Sequence, residues 1–455
     1  MSVRDYLDRL TGTGRADTDA GAPGDGAAGT DLGIVVGLML AVYVVFVAIG
    51  VVLGYDTNGI VNALSQVTFL TAVYALVVLA LNLHWGYTGL FNIGVAGFMA
   101  VGTYTMAMAT AAPDARVPGL GLPIWAGIAL GMAAAAVIGL VAALPALRLR
   151  ADYLAIVTIA LAEIIRLTYL SSAVQTFTVF GTQLGTGGGS GIGIEADPDT
   201  VVVEFLASVP GLNVLFDAFG SVLSGMGVQQ SVINNWYYAF VLLVVVVAYY
   251  WLLQRIGHSP FGRVLKSIRE DEDVARALGK NTRLFKIKSF MVGCSLMGLA
   301  GILWFGSYGF INPNTFLPQV TFFVWIALII GGAGSNTGGV VGAAMFAAVL
   351  FELPRYLASI AGDTGGLPSA PPTFARAVGA LFDLEPLAFV AYGIDNIGPL
   401  RLVLVGVVLI VLMQRRPEGL LGHRKETAAS IGLSRPNRSR ETTDATAATD
   451  GGEEQ

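Results

Sequence analysis

The chain has 455 residues, 55% of them hydrophobic and 13% charged, with a mean hydropathy of +0.69 and a formal net charge of −5. A soluble domain carries roughly 25% charged residues, so the composition excludes one, and the acidic balance gives no reason to expect a nucleic-acid partner. The single Cys294 excludes an intrachain disulfide, and the scattered His84, His258 and His423 suggest no metal cluster, so no cofactor is expected.

Residues 1–32 are polar and lack the short apolar core of a cleavable signal peptide, which predicts a disordered tail. Ten apolar runs follow, at 33–54, 61–83, 90–110, 122–147, 152–171, 234–254, 288–308, 319–332, 338–354 and 399–414. They predict an all-α integral membrane protein of about ten transmembrane helices in one polytopic domain, 33–422. A β-barrel would alternate apolar and polar residues in segments of about ten, and this chain does not. Residues 423–455, ending "ETTDATAATDGGEEQ", predict a second disordered, acidic tail. The scarcity of lysine, with frequent Asp outside the spans, is consistent with a protein that meets high salt.

Two glycine-rich breaks interrupt the apolar sequence. "NLHWGYTGLFNIGVAGFMAVG" contains Gly86, Tyr87, Gly89, Asn92 and Gly94; "LIIGGAGSNTGGVVGAAMFAA" contains Gly331, Gly332, Gly334 and Thr337. One reading is close helix packing through small faces. The other is a pair of discontinuous segments lining a translocation path, because unwound backbone at membrane depth must be covered by protein or face a water-filled cavity. Whether 319–354 holds one broken helix or two short spans stays open. Glu163 and Arg166, at i and i+3, form a candidate intramembrane pair, either structural or part of the path. The run "GTQLGTGGGSGIG" lacks the Lys-Ser or Lys-Thr of a phosphate-binding loop, and no Walker motif occurs, so the chain is not expected to hydrolyse ATP. No paired carboxylates or base-activated nucleophile stand in the spans, which argues against an enzyme.

The sixth span, "NWYYAFVLLVVVVAYYWLLQ", sets Trp236, Tyr237 and Tyr238 about 22 Å of helix from Tyr249, Tyr250 and Trp251, the spacing of two interfacial aromatic belts. Residues 167–254 contain no Lys or Arg, whereas 263–288 contains eight. The positive-inside rule therefore places the loop at about 255–287 in the cytoplasm, the 194–233 and 362–397 stretches outside, and both termini inside. Within that loop "EDEDVARALGKN" puts acids before Val274, Ala275, Ala277 and Leu278 and then Gly279, predicting a short helix with a glycine stop. It reads either as a solvated loop or as a docking element.

"SPFGRVLKSIREDEDVARALGKNTRLFKIKSFMVGCSLMGLAGIL" resembles the cytoplasmic loop and following span of the longer permease subunit of branched-chain amino acid ABC importers. "LNLHWGYTGLFNIGVAGFMAVGTYT", "LRLRADYLAIVTIALAEIIRL", "GTGGGSGI", "LIIGGAGSNTGGVVGAAMF" and "LVLVGVVLIVLMQRRPEGLLG" agree in the same order, over roughly residues 60–422. The resemblance implies a path formed with a second permease subunit, two cytoplasmic ATP-binding subunits that drive it, and an extracytoplasmic substrate-binding protein. It also implies that Glu270, Asp271, Glu272, Asp273, Ala275, Arg276, Ala277, Gly279 and Asn281 form the helix that couples to the ATPase. Arg276 departs from a position where the family tends to be small, and the 194–233 and 362–397 stretches are longer than usual. A urea or short-amide importer has a closely similar permease. An ion-coupled carrier is a further alternative, but the spans hold few acids.

Overall fold

The computed structural model describes residues 25–146, 151–179, 181–194, 197–209, 211–363 and 368–422. Residues 1–24 and 423–455, where the disordered tails were expected, lie outside the described residues. The helices are α1 (Asp25–Val52), α2 (Thr57–Asn82), α3 (Val95–Thr110), α4 (Ile124–Ala146), α5 (Ala151–Leu170), α6 (Pro198–Ala207) and α7 (Leu212–Gly225). They continue as α8 (Gln230–His258), α9 (Pro260–Glu270), α10 (Glu272–Ala277), α11 (Thr282–Phe305), α12 (Pro318–Gly331), α13 (Asn336–Met345), α14 (Leu353–Asp363), α15 (Phe374–Phe382), α16 (Pro386–Asp395) and α17 (Ile397–Arg415). Among the described residues nine helices are long and apolar enough to cross a membrane, and the 16-residue α3 is a shorter apolar one. The protein is an all-α membrane protein, as the composition predicts.

The expected and observed spans agree to within a few residues at most ends, with two informative differences. Helix α1 begins at Asp25 rather than 33. The third run, expected helical from 90, becomes so only at Val95, because the chain before it is unwound. The doubtful stretch 319–354 is two helices, not one broken helix: α12 ends at Gly331, the chain turns, and α13 runs through a π-helical segment, Phe346–Glu352, into α14.

Helix α2 lies at the centre, with 83% of its apolar window buried, and α11 and the α13–α14 helix follow at 78% each. By contrast α17 is only 6% buried and presents its apolar side outward. Water is absent from the lipid, so the hydrophobic effect does not draw these helices together, and close van der Waals contact through small residues does. At the crossing of α3, α4 and α11, a methyl group on Gly102 would stand 2.6 Å from the Gly298 Cα, and one on Gly131 would stand 2.6 Å from the Gly102 carbonyl. Cys294 is buried in this packing beside Gly139, as its apolar setting predicts.

The aromatic belts of α8 are largely not belts. Tyr238 and Tyr249 turn inward and donate hydrogen bonds to the Leu303 carbonyl at 2.6 Å and the Leu296 carbonyl at 2.8 Å on α11. Trp236 Nε1 donates to the Val61 carbonyl at 3.2 Å. Only Trp251 of the six is strongly exposed, at 61%. A buried aromatic with a polar tip needs a partner in an apolar medium, and neighbouring helix carbonyls supply it.

The long stretch 194–233 folds into α6 and α7, and much of 362–397 into α15 and α16. Two short antiparallel pairs complete the fold: β1 (Phe177–Val179) with β2 (Thr182–Leu184), and β3 (Ile192–Gly193) with β4 (Phe310–Ile311). The glycine-rich run near 187 forms a tight turn that delivers β3 to β4.

Candidate functional site

Helix α2 does not stop cleanly at Asn82 but tightens into a π-turn, Leu83–Tyr87, and then runs non-helical to α3. Inside a bilayer every freed backbone group needs a protein partner. Two neighbouring helices supply them. Thr158 Oγ1 on α5 accepts from the Ile93 amide at 3.0 Å, Thr321 Oγ1 on α12 accepts from the Ala96 amide at 3.0 Å, and Trp325 Nε1 donates to the Asn92 carbonyl at 3.0 Å. Asn92 Oδ1 accepts from the Gly94 amide at 2.8 Å. His84 Nε2 faces the Phe290 carbonyl at 3.1 Å, so the proton sits on that nitrogen, and Nδ1 then accepts from Asn92 Nδ2 at 3.2 Å. His84 is therefore a satisfied core histidine, and among the described residues no His, Cys, Asp and Glu group suits a metal.

The second break is sealed by the segment that follows α17. The Leu420 and Leu421 amides donate to the Ile330 and Gly331 carbonyls at 2.8 and 3.0 Å, occupying acceptors that the end of α12 leaves free. Gly332 has φ +105°, and any side chain there would meet Glu418 and Gly422 at 2.8 Å. Gly331 lies against Gly338 across the α12–α13 turn. These two predicted path residues thus stand in close contact with neighbouring backbone. Ser335 caps α13 by accepting from the Gly338 amide at 3.0 Å.

The two breaks meet. Asn82 Nδ2 donates to Asn336 Oδ1 at 3.0 Å, and the Gly334 amide donates to Asn82 Oδ1 at 2.8 Å. Asn336 Nδ2 in turn reaches the Tyr87 hydroxyl at 2.8 Å and Gln254 Oε1 at 3.3 Å, while the hydroxyls of Thr337 and Tyr250 lie 2.9 Å apart. Gly86 is where the chains touch: a side chain there would collide with Asn82 Oδ1 and come within 2.7 Å of the Gly334 amide. Of the predicted path residues, Gly86, Tyr87, Gly334 and Thr337 are brought together. Asn92 and Gly94 belong to the first break alone, and Gly89, with φ +73°, packs on Arg269. Asn82, Gln254 and Asn336 were not among the residues expected from sequence, although a lone amide in or beside an apolar run was the signal available, and Tyr250 was expected in an aromatic belt.

The charged loop reaches the same place. Ser259 caps α9, accepting from the Gly262 amide at 3.1 Å, and Asp271 caps α10, accepting from the Asp273 and Val274 amides at 2.9 and 3.0 Å. From α9, Arg269 Nη1 donates to the Gly86 carbonyl, and the buried Lys266 ammonium lies 5.5 Å from the Tyr87 ring centroid. Helix α10 faces outward at Val274 and Leu278, 55% and 72% exposed, and inward at Ala275. Ala277 is exposed, and Gly279, with φ +76°, closes the turn. Arg276 folds back on its own helix, 3.0 Å from Asp273 and 3.3 Å from Glu272. Burial acts to raise the Glu272 carboxyl, but the hydrogen bond and charge of Lys286, helped by Thr282 and Arg276, outweigh it and hold the group below its usual range. Glu272 thus ties α10 to the first turn of α11. Val274 and Leu278 are the large apolar side chains that this segment exposes.

At the opposite ends of these helices, Arg166 binds Glu163 through two nitrogens, at 2.9 and 2.6 Å, and gives its third contact to Asn314 at 2.8 Å. That geometry joins α5 to the turn before α12. Glu352, at the end of the π-helical segment and 3% exposed, stands 3.7 Å from Arg355 and was not singled out in the sequence. Near β3–β4, burial and then the neighbouring Asp199 charge push Asp197 up to about 6, and burial also raises Asp199. A carboxyl whose folded pKa is raised favours folding in its protonated form, so this contribution is present below about pH 4 and lost as pH rises through about 6. Asp197→Asn should therefore raise Tm at pH 7.5 by about 1–2 °C and leave it unchanged at pH 4. Thermal unfolding in detergent at both values checks this.

A polytopic helical membrane protein with two interrupted segments joined at one end, and a charged loop seated on the first of them, has the anatomy of a transport protein. The chain matches the family "Branched-chain amino acid transport system / permease component" over residues 63–413 and belongs to it. It is similar to the high-affinity branched-chain amino acid transport system permease protein LivM of Escherichia coli, 32% identical over 294 residues. That match covers 64% of this chain and 63% of the relative's length. The LivM protein of Methanocaldococcus jannaschii is 25% identical over 391 residues, 79% of this chain and 94% of that one. A shorter match, 34% over 88 residues, is to the Escherichia coli permease protein LivH, covering 19% of this chain and 28% of that one. No solved structure matches.

Proposed function

We propose that the chain is the membrane-spanning permease subunit of an ATP-driven importer of branched-chain amino acids. The observation that carries this is the seating of the α9–α10 loop on the first break, where that break meets the second, with Arg269 on the Gly86 carbonyl and Lys266 on the Tyr87 ring. A force applied to α10 is delivered through α9 to backbone that is already unwound. The eight basic residues of 263–288 support a cytoplasmic loop, and with it both termini inside and α6, α7, α15 and α16 outside. The partners are a second permease subunit, for which the partial match to LivH is the support, two ATP-binding subunits and an extracytoplasmic binding protein that delivers substrate.

In this reading Val274, Ala277 and Leu278 form the face that enters the ATPase, with Glu270, Asp271, Glu272 and Asp273 at the helix start and Asn281 capping α11. Closure of the ATPases on ATP favours one arrangement of the loop, and the loop favours one arrangement of the Asn82–Asn336 contact. Coupling requires that difference, since equal docking to both arrangements shifts neither. The glycines of the breaks let the arrangement change without side-chain collision. Gly279→Pro combined with Ala277→Asp removes the left-handed turn and charges the docking face. The expected result is loss of the ATP-binding subunits on co-purification and at least tenfold lower substrate-stimulated ATP hydrolysis; intact assembly with normal stimulation would contradict the reading.

A further inference from the structure

Beside the coupling contacts lies an open cleft of about 610 Å3, bounded by Pro260, Phe261, Arg263, Val264 and Ser267 of α9, by Lys280, and by Phe285 and Lys288 of α11. Its charged residues are Arg263, Lys280 and Lys288, and it holds no acid, in a chain whose net charge is −5. All three are exposed, and none forms an ion pair among the described residues. Among the described residues Arg269 pairs with Glu270, Arg276 with Glu272 and Asp273, and Lys286 with Glu272, all of them acids of the loop itself. The cleft is thus a place where positive charge gathers uncompensated.

Its position in the fold narrows what would neutralise it. Pro260 and Phe261 directly follow the end of α8, and Phe285 and Lys288 occupy the first two turns of α11, so the cleft sits at the feet of two membrane spans. Phe261 and Phe285 stack at 5.3 Å and floor it with an apolar surface. One turn beyond Lys288 on the same face of α11 is Val292, 38% exposed and inside the span. Cations at the mouth and apolar surface continuing into the bilayer match an amphiphile with an anionic head and acyl chains. A soluble acidic peptide would use the charges and leave the apolar continuation unfilled. Basic pockets between helices at the membrane boundary are a recognised setting for acidic headgroups.

We propose that this cleft binds an anionic phospholipid, with Arg263, Lys280 and Lys288 around its phosphate and its chains along Val292. Because Lys280 follows Gly279 directly, a bound lipid would also steady the loop that carries α10. The site does not depend on the identity of the transported substrate.

The test is native mass spectrometry of the full chain released from nanodiscs of phosphatidylglycerol or of phosphatidylcholine with the same acyl chains. One retained phosphatidylglycerol per chain is expected, with at least fivefold less in Arg263→Gln/Lys280→Gln/Lys288→Gln, full retention in Lys280→Arg/Lys288→Arg, and no retained phosphatidylcholine. The charge-preserving pair guards against misfolding of the neutral triple variant. Equal retention of both lipids, or of phosphatidylglycerol by wild type and the neutral variant, would overturn the proposal. So would displacement of phosphatidylglycerol by millimolar glycerol phosphate, which would mean a site for soluble phosphates. Higher retention by a chain ended after Gly422 would overturn it too, by making the acidic C-terminal segment the occupant.

Discussion

Asn336→Ala should lower the melting temperature of the detergent-solubilised protein by about 4 °C, corresponding to roughly 2 kcal/mol. The Asn336 amide is shared by Asn82, Tyr87 and Gln254, so its removal leaves several buried polar groups with fewer partners. Single interhelical hydrogen bonds in membrane proteins average only about 0.6 kcal/mol, and the larger figure follows from losing a junction rather than one bond. Asn234→Ala is the control, since that side chain meets Gln230 on the exposed side of α8, and it should leave the melting temperature unchanged. Equal effects of the two substitutions would show that the breaks are not held together through Asn336.

The second large effect is functional. Arg269→Gln removes the charged donor to the Gly86 carbonyl while leaving α10 and its caps intact. A hydrogen bond from a charged group is worth about 1.5–3 kcal/mol, and if it is made in one transport state and not the other, its loss changes coupling by about 10- to 100-fold. In reconstituted importer, ATP hydrolysis should persist while substrate uptake per ATP falls by at least about tenfold. A parallel fall in both, with the ratio unchanged, would assign Arg269 to assembly or stability instead. This outcome differs from that expected for Gly279→Pro with Ala277→Asp, where docking itself fails.

The spans were legible because each is a long apolar run, and that signal does not depend on what surrounds it. The breaks were legible as breaks, since glycine clusters interrupt apolar sequence at Gly86 and at Gly331. Their meeting was not, because Asn82 and Asn336 are 254 positions apart. For the same reason the contacts of Gly331 and Gly332 with α13 and the turn after α17 were not legible, since local sequence does not announce those partners. The tyrosines of α8 misled in the opposite direction: their spacing suits a membrane belt, but Tyr238 and Tyr249 have hydrogen-bond acceptors waiting on α11. In α10 the helix, its acidic start and its glycine stop were all readable. Which side faces out was not, and it places Val274 and Leu278 rather than Ala275 on the surface.

Uptake of labelled leucine into proteoliposomes containing this chain, its second permease, the ATP-binding subunits and the binding protein tests the central claim most directly. Uptake should require ATP and the binding protein, and should fall at least about tenfold with Arg269→Gln while ATP hydrolysis continues. Uptake by the purified chain alone, driven by an ion gradient without ATP, would contradict the account.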